Sequence, residues 1–171
     1  MNVLIVCESS FGNTRHVAEA IAAGLRKEGH QAHLYPVDQA PREISRDVDL
    51  LLVGTPTHNM TMTTAATRAR AVDEGATESP TIGIHEWIEL VTPMRHLPVR
   101  TFDTRTTGGF LPSAARDATR ALKSNGFHAA KTGQSFLVDP ITSGLRDGEL
   151  ERALNWGMSL GSVVSGTPRA G

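Results

Sequence analysis

Residues 3–14 constrain this chain more than any other segment. Val3-Leu4-Ile5-Val6-Cys7 is a short apolar run that breaks into Glu8-Ser9-Ser10-Phe11-Gly12-Asn13-Thr14. Behind it Val17, Ala18, Ile21, Ala22 and Leu25 recur at the three- and four-residue spacing of an amphipathic helix. A buried strand that feeds a Ser/Gly/Asn/Thr turn opening a helix is suited to a phosphate. Backbone N–H groups in the turn and at the helix start point at the ligand, and the helix dipole favours its negative charge. The hydroxyls of Ser9, Ser10 and Thr14 can add hydrogen bonds. The loop carries no Lys or Arg, so binding would rest on neutral donors.

The kind of phosphate can be narrowed. A Walker loop needs GxxxxGK[ST], and the chain contains no Gly-Lys pair. A dinucleotide fingerprint needs GxGxxG after the strand, and this turn has Gly12 alone. On this loop alone two readings stand: a mononucleotide phosphate loop, or a plain strand-to-helix turn with a Ser/Thr cap.

The rest of the chain alternates strand and helix patterns. Glu28-Gly29-His30 reads as a helix stop. Residues 31–37 alternate as a half-buried strand, and 38–46 form a polar connection with one helical turn. Residues 47–54 hold the strongest strand signal, because Val48, Leu50, Leu51, Leu52 and Val53 suit a strand covered on both faces. Helices are expected over 63–72 and around Trp87, Ile88 and Val91, and a fourth strand over 98–102. Ser113 reads as the N-cap of a helix through Lys123, stopped by Asn125-Gly126. A fifth strand follows over 133–138, and a last helix starts at Asp147 or Gly148. Five βα units at this spacing predict an α/β three-layer sandwich, a five-stranded parallel sheet in the order 2-1-3-4-5. Residues 1–164 form the expected single domain, and 165–171 a flexible tail.

In such a sheet the ligand sits at the carboxyl ends of the strands, near the switch point. The turns after strands one, three and four should therefore converge. The second is Thr55-Pro56-Thr57-His58-Asn59-Met60-Thr61-Met62; the third runs from Asp103-Thr104-Arg105 to Gly108-Gly109-Phe110. With these three loops the chain resembles the flavodoxin family from about Val3 to Val164. The first loop is similar to the flavodoxin [ST]-x-T-G-x-T phosphate loop, with Phe11 in place of the third-position Thr. The segments Phe11-Gly12-Asn13-Thr14, Gly54-Thr55-Pro56-Thr57-His58, Phe102-Asp103-Thr104-Arg105 and Ser135-Phe136-Leu137-Val138-Asp139 carry the resemblance together.

The resemblance implies a flavodoxin-like fold and FMN as cofactor. It implies that Ser9, Ser10, Phe11, Gly12, Asn13 and Thr14 hold the phosphate. Thr55, Pro56, Thr57, His58, Asn59, Asp103, Thr104 and Arg105 would line the ring. Many flavodoxins sandwich the ring between aromatic side chains, but neither loop here carries Trp or Tyr. Met60, His58 or Phe110 would have to supply that contact, and Asn59 would stand where the family's flipping glycine does.

Other function classes recede. A net charge of −1 argues against a nucleic-acid footprint and against an acidic shuttle docking on a basic partner. Cys7, the one cysteine, sits in the first apolar run as a core residue, and a reducing cytoplasm is the expected compartment. No run is long and apolar enough to span a bilayer, and the N-terminus enters a strand without a basic leader. His85-Glu86 fails HExxH because position 89 is Glu, so no metal is expected. Arg68, Arg70 and Asp73 read as a solvated helix face, and Trp87 and Trp156 as packing anchors. His58 reads as a flavin contact or a solvated loop side chain; Arg105 reads as an anion partner or a surface arginine. A phosphorylatable receiver lacks its Asp in Val53-Gly54-Thr55, and a serine hydrolase lacks its GxSxG elbow.

Two functions are left: an FMN protein of electron or hydride transfer, or a flavodoxin-fold binding module without redox activity. Between a one-electron carrier and a small FMN-dependent oxidoreductase the sequence does not choose. Nor does it name the redox partner protein or nicotinamide donor.

Overall fold

A computed structural model describes residues 1–57, 62–78, 80–106, 113–140 and 142–164, with the backbone alone at 163 and 164. The expectations for His58, Asn59, Met60, Phe110 and the tail 165–171 lie outside the described residues. Five strands, β1 (Asn2–Cys7), β2 (Gln31–Pro36), β3 (Leu50–Pro56), β4 (Val99–Arg105) and β5 (Ala130–Leu137), form one sheet. Its order is β2-β1-β3-β4-β5, with every adjacent pair parallel, as the alternating pattern predicted. The helices are α1 (Asn13–Lys27), α2 (Ala65–Asp73), α3 (Ile84–Leu90), α4 (Ala114–Asn125), α5 (Glu149–Ser159) and α6 (Gly161–Val164).

The two-residue period of a strand divides β1 between two cores. Val3, Ile5 and Cys7 pack with Val17, Ile21 and Leu25 of α1 and with Phe102 and Phe136. Leu4 and Val6 face the other way, onto Ile84, Trp87 and Ile88 of α3 and Leu122 of α4. Each such fully buried side chain contributes about 1.5–3 kcal/mol relative to exposure. Central β3 is buried along its whole length, which is why its sequence is continuously apolar rather than alternating. On the α1 side, α1 and α5 cross at close range. A Cβ on Gly24 would run into the Leu154 carbonyl, and one on Gly157 into that of Ile21. Trp156 anchors α5 on Phe102 and Phe136, with ring centroids 6.1 Å from each.

The strand boundaries depart most from the expectations. β3 begins at Leu50, not at residue 47, and runs on to Pro56, so that Thr55 and Pro56 stand on a strand and not on the second loop. The Asn2 amide donates to the Asp49 carboxylate at 2.8 Å, so the preceding segment is tied to the start of β1 by side chains. β4 runs on past Phe102 to Arg105, and β5 starts at Ala130, three residues before its expected start. Asp103, Thr104 and Arg105 therefore stand on a strand, in register with Ser135, Phe136 and Leu137, and not on a loop. The solvated face expected for Arg68 is also corrected. Arg68 is buried and pairs with Glu86 at 2.7 Å, while Arg70 stays exposed and pairs with Glu74.

Candidate functional site

The carboxyl ends of β1, β3, β4 and β5 open on a cleft of about 470 Å³, within the usual size of a cofactor site. Ser9, Ser10, Phe11, Asn13 and Thr14 line one side of it; Pro56, Thr57, Thr104, Arg105 and Thr106 line the other. Of the sequence-predicted residues that are described, nine line the cleft and three do not. Gly12 shapes the loop without lining the cleft, and Thr55 and Asp103 lie buried beneath it.

Loop geometry follows from the turn chemistry. Gly12 sits just before α1 at φ 84°, a left-handed conformation that costs a side-chain-bearing residue. The N-cap Gly12 has no side chain to cap α1, and of the first-turn amides that of Arg15 donates to Ser9 Oγ at 3.4 Å. Behind the loop, the Ser10 carbonyl accepts from the Glu78 amide at 3.0 Å and from the Thr77 hydroxyl at 3.3 Å. Arg15 pairs with Glu78 at 2.7 Å, fastening the same segment to α1. The Thr14 hydroxyl bonds that of Thr104 at 2.8 Å, joining the first loop to β4 across the floor. Phe11, in the place of a hydroxyl residue, is 40% exposed at the lip.

The opposite wall is built on a carboxylate. Asp103 Oδ2 accepts from the Thr57 hydroxyl at 3.1 Å, from the Ser113 hydroxyl at 2.5 Å and from the Ala115 amide at 3.1 Å. Thr57 Oγ1 in turn accepts from the Ala114 amide at 3.2 Å, and the Thr57 amide donates to the Thr104 carbonyl at 2.8 Å. Ser113 does occupy the N-cap position of α4, as its sequence suggests, but its hydroxyl donates to Asp103 rather than accepting from the helix. The carboxylate of Asp103 serves the α4 N-terminus in its place, where the helix dipole favours a negative charge.

A second buried carboxylate, Glu8, was not legible as a site element. It accepts from the Thr63 hydroxyl and, at 2.8 Å, from the Ile84 amide. Burial pushes its pKa up, against the hydrogen bonds of Thr63 and Ile84 and the positive charge of Arg68, which pull it down. On the neighbouring Glu86, burial also pushes upward, but the Arg68 hydrogen bond, the backbone donors and the Arg68 charge hold the carboxyl below its usual range. The space between these groups is filled: a Cβ on Gly83 would collide with the Arg68 guanidinium and with Glu8. The approach to a metal reading at His85-Glu86 closes here, since Glu86 is committed to Arg68. Among the described residues, no group of three His, Cys, Asp or Glu side chains could hold a metal ion.

The turn after β5 supplies a fourth wall that the three-loop expectation left out. Val138, Asp139, Pro140 and Ser143 line the cleft, and Asn13 Nδ2 donates to the Ser143 carbonyl at 2.8 Å. The rule that ligands gather at carboxyl strand ends applies equally to β5, so this was the signal available.

Residues 5–87 match the family model described as flavodoxin. No curated protein matches the sequence. Among solved structures, a flavodoxin from the domain Archaea shares 16% identity at a TM-score of 0.65, covering 96% of this chain and 99% of that one. A Streptococcus pneumonia TIGR4 flavodoxin shares 18% at a TM-score of 0.64, over 96% of this chain and 100% of that one. The flavodiiron protein from Giardia intestinalis shares 20% at a TM-score of 0.61, and there the match spans 96% of this chain but 36% of the longer one. At these identities the likeness is one of fold.

Proposed function

We propose that this chain is a member of the flavodoxin family, holds FMN in the cleft at the carboxyl edge of its sheet and works in electron or hydride transfer. The observation that carries this reading is the first loop. A left-handed Gly12 leads into a helix whose N-cap residue has no side chain to take up its first amides, at the mouth of a cleft of cofactor size.

The donor set suits a phosphate. Ser9, Ser10 and Thr14 are buried hydroxyl residues, and the loop's backbone amides add directional donors without a counter-charge. The Ser10 carbonyl is held on the far side by Thr77 and Glu78, so the loop keeps its shape before any ligand arrives. Preorganised donors of this kind bind without a large ordering cost. Thr57, Thr104 and Arg105 would flank the flavin ring, with Pro56 as an apolar contact. FMN, when bound, supplies the redox chemistry; the chain's residues bind it, orient it and limit water around it.

The second reading, a binding module without redox activity, draws on one observation. The second and third loops contain no Trp or Tyr to stack on a flavin ring. Titration of the apo chain with FMN and FAD, followed by flavin fluorescence and absorbance, tests the proposal. FMN should bind the more tightly, because the loop is built for a terminal phosphate. Binding of neither flavin would leave the non-redox reading standing.

A further inference from the structure

We propose that Asp103 is a positioning residue that sets the distance between Thr57, just past β3, and the start of α4, the two supports of the ring-binding wall. The inference rests on the FMN reading for its purpose, but its structural content stands in the chain itself.

Asp103 is fully buried at the end of β4. Its Oδ2 gathers three donors from two separate elements. Thr57 leads into the second loop, whereas Ser113 and Ala115 stand where the third loop closes into α4. Thr57 closes the circuit by accepting from the Ala114 amide. One oxygen thus ties the root of the second loop to the far root of the third. A buried carboxylate is costly unless its hydrogen bonds are satisfied, so the arrangement has a defined geometry or none.

The other oxygen makes the proposal separable from a general need for charge. Asp103 Oδ1 is buried and has no hydrogen-bond partner among the described residues. In Asp103→Asn the amide oxygen can take the place of Oδ2 and keep the three donors, with its NH2 group where Oδ1 now accepts nothing. Asp103→Ala removes the tie altogether. Thr57→Val breaks the circuit from the other end and leaves Asp103 to cap α4.

Two measurements decide. The first is amide hydrogen exchange on the chain without flavin. Asp103→Ala should speed exchange at Ala114 and Ala115, Asp103→Asn should not, and the amides of residues 12–14 should be unchanged in both. Unchanged exchange at Ala114 and Ala115 in Asp103→Ala, or equal acceleration throughout the sheet, overturns the proposal. The second is the affinity for FMN, riboflavin and inorganic phosphate. Asp103→Ala and Thr57→Val should weaken both flavins by about tenfold, the scale of a lost buried hydrogen bond. Inorganic phosphate should bind as before, and Asp103→Asn should recover most of the flavin affinity. Flavin affinity unchanged in both weakening variants would overturn the positioning role. A parent chain that binds neither flavin would instead overturn the FMN reading, and the exchange result would still decide whether Asp103 ties the two loops. Should Asp103→Ala fail to fold, Thr57→Val answers the same two questions through Ala114.

Discussion

At one end of the cleft Ser9–Thr14 offers hydroxyls and backbone amides, with no charge of its own in the loop and a left-handed glycine at the bend. At the other end Thr57, Ser113 and the start of α4 converge on a buried carboxylate. On the FMN reading proposed above, the two ends solve different problems. A phosphate brings its own charge, so the first loop needs only oriented dipoles, and their orientation comes from the Ser10 carbonyl being held outward. A planar ring brings no strong charge to align the walls around it, so the walls must be fixed to each other beforehand. Neutral donors aimed at the ligand serve recognition; a charged acceptor aimed away from it serves the scaffold.

Glu8 extends this contrast to the border of the first loop, and its removal should have the largest effect. Glu8→Ala would leave the Thr63 hydroxyl and the Ile84 amide without their acceptor and take a negative charge from the neighbourhood of Arg68. A loss of roughly 2–5 kcal/mol is expected, the scale of leaving two buried donors unsatisfied. Urea unfolding measures it; a loss comparable to a surface substitution would mean that Glu8 is not part of the scaffold. At the phosphate end, Thr14→Val should weaken FMN by about 1–3 kcal/mol, through the lost ligand contact and the lost bond to Thr104. Calorimetry with a circular dichroism control checks this. Unchanged affinity would take Thr14 out of the phosphate site.

The scaffold carboxylates should also differ in their response to pH. Glu8 has a raised pKa, from burial first, so its charged form is the one the fold disfavours. Its contribution to stability is then fully present below its ordinary value of 4.5 and is lost as pH rises through the folded value. Unfolding of the wild type and Glu8→Gln across that range should show the wild type losing ground as pH rises. Glu149 runs the other way. Burial pushes its pKa upward, but the Arg152 hydrogen bond, the Leu137 amide and nearby positive charge outweigh it and hold it low. Its contribution is present above 4.5 and fades as pH falls through the folded value, so Glu149→Gln should converge with the wild type in acid. Opposite signs for the two variants sharpen the contrast between a carboxylate held by burial and one held by a partner; the same sign would break it. The smallest effect is at Cys7. Burial first, with nearby acidic charge, pushes its thiol up to about 12, so a thiol reagent should react with the unfolded chain and leave the native one unmodified.

The parallel sheet was legible because β1 and residues 50–53 of β3 are continuous apolar runs, as strands covered on both faces require, and the alternation of strands with helices did the rest. The end of β4 was not. Asp103, Thr104 and Arg105 are polar, and hydrophobic pattern stops at Phe102 while the backbone ladder continues to Arg105. Polarity there signals a strand end that faces a site, not a loop. Arg68 was misread for a related reason. On its own helix it stands among Arg70 and Asp73, and its true partner, Glu86, is eighteen residues away on α3. Local spacing finds pairs one turn apart, and no local rule reaches a partner brought in by the fold. Glu8 and Asp103 share this property: every donor to their side chains comes from elsewhere in the chain. The first loop was readable because its chemistry is contiguous, with hydroxyls, glycine and helix start in one stretch.

The account's central claim is that the cleft grips a flavin by its phosphate through the neutral loop of residues 9–14. The direct measurement is the dissociation constant of FMN beside that of riboflavin, on the same preparation and at fixed salt. The account predicts that FMN binds at least tenfold more tightly, the equivalent of ~1.4 kcal/mol, and that inorganic phosphate narrows the gap by competing for the loop. Equal affinity for FMN and riboflavin, with no effect of phosphate, would contradict it.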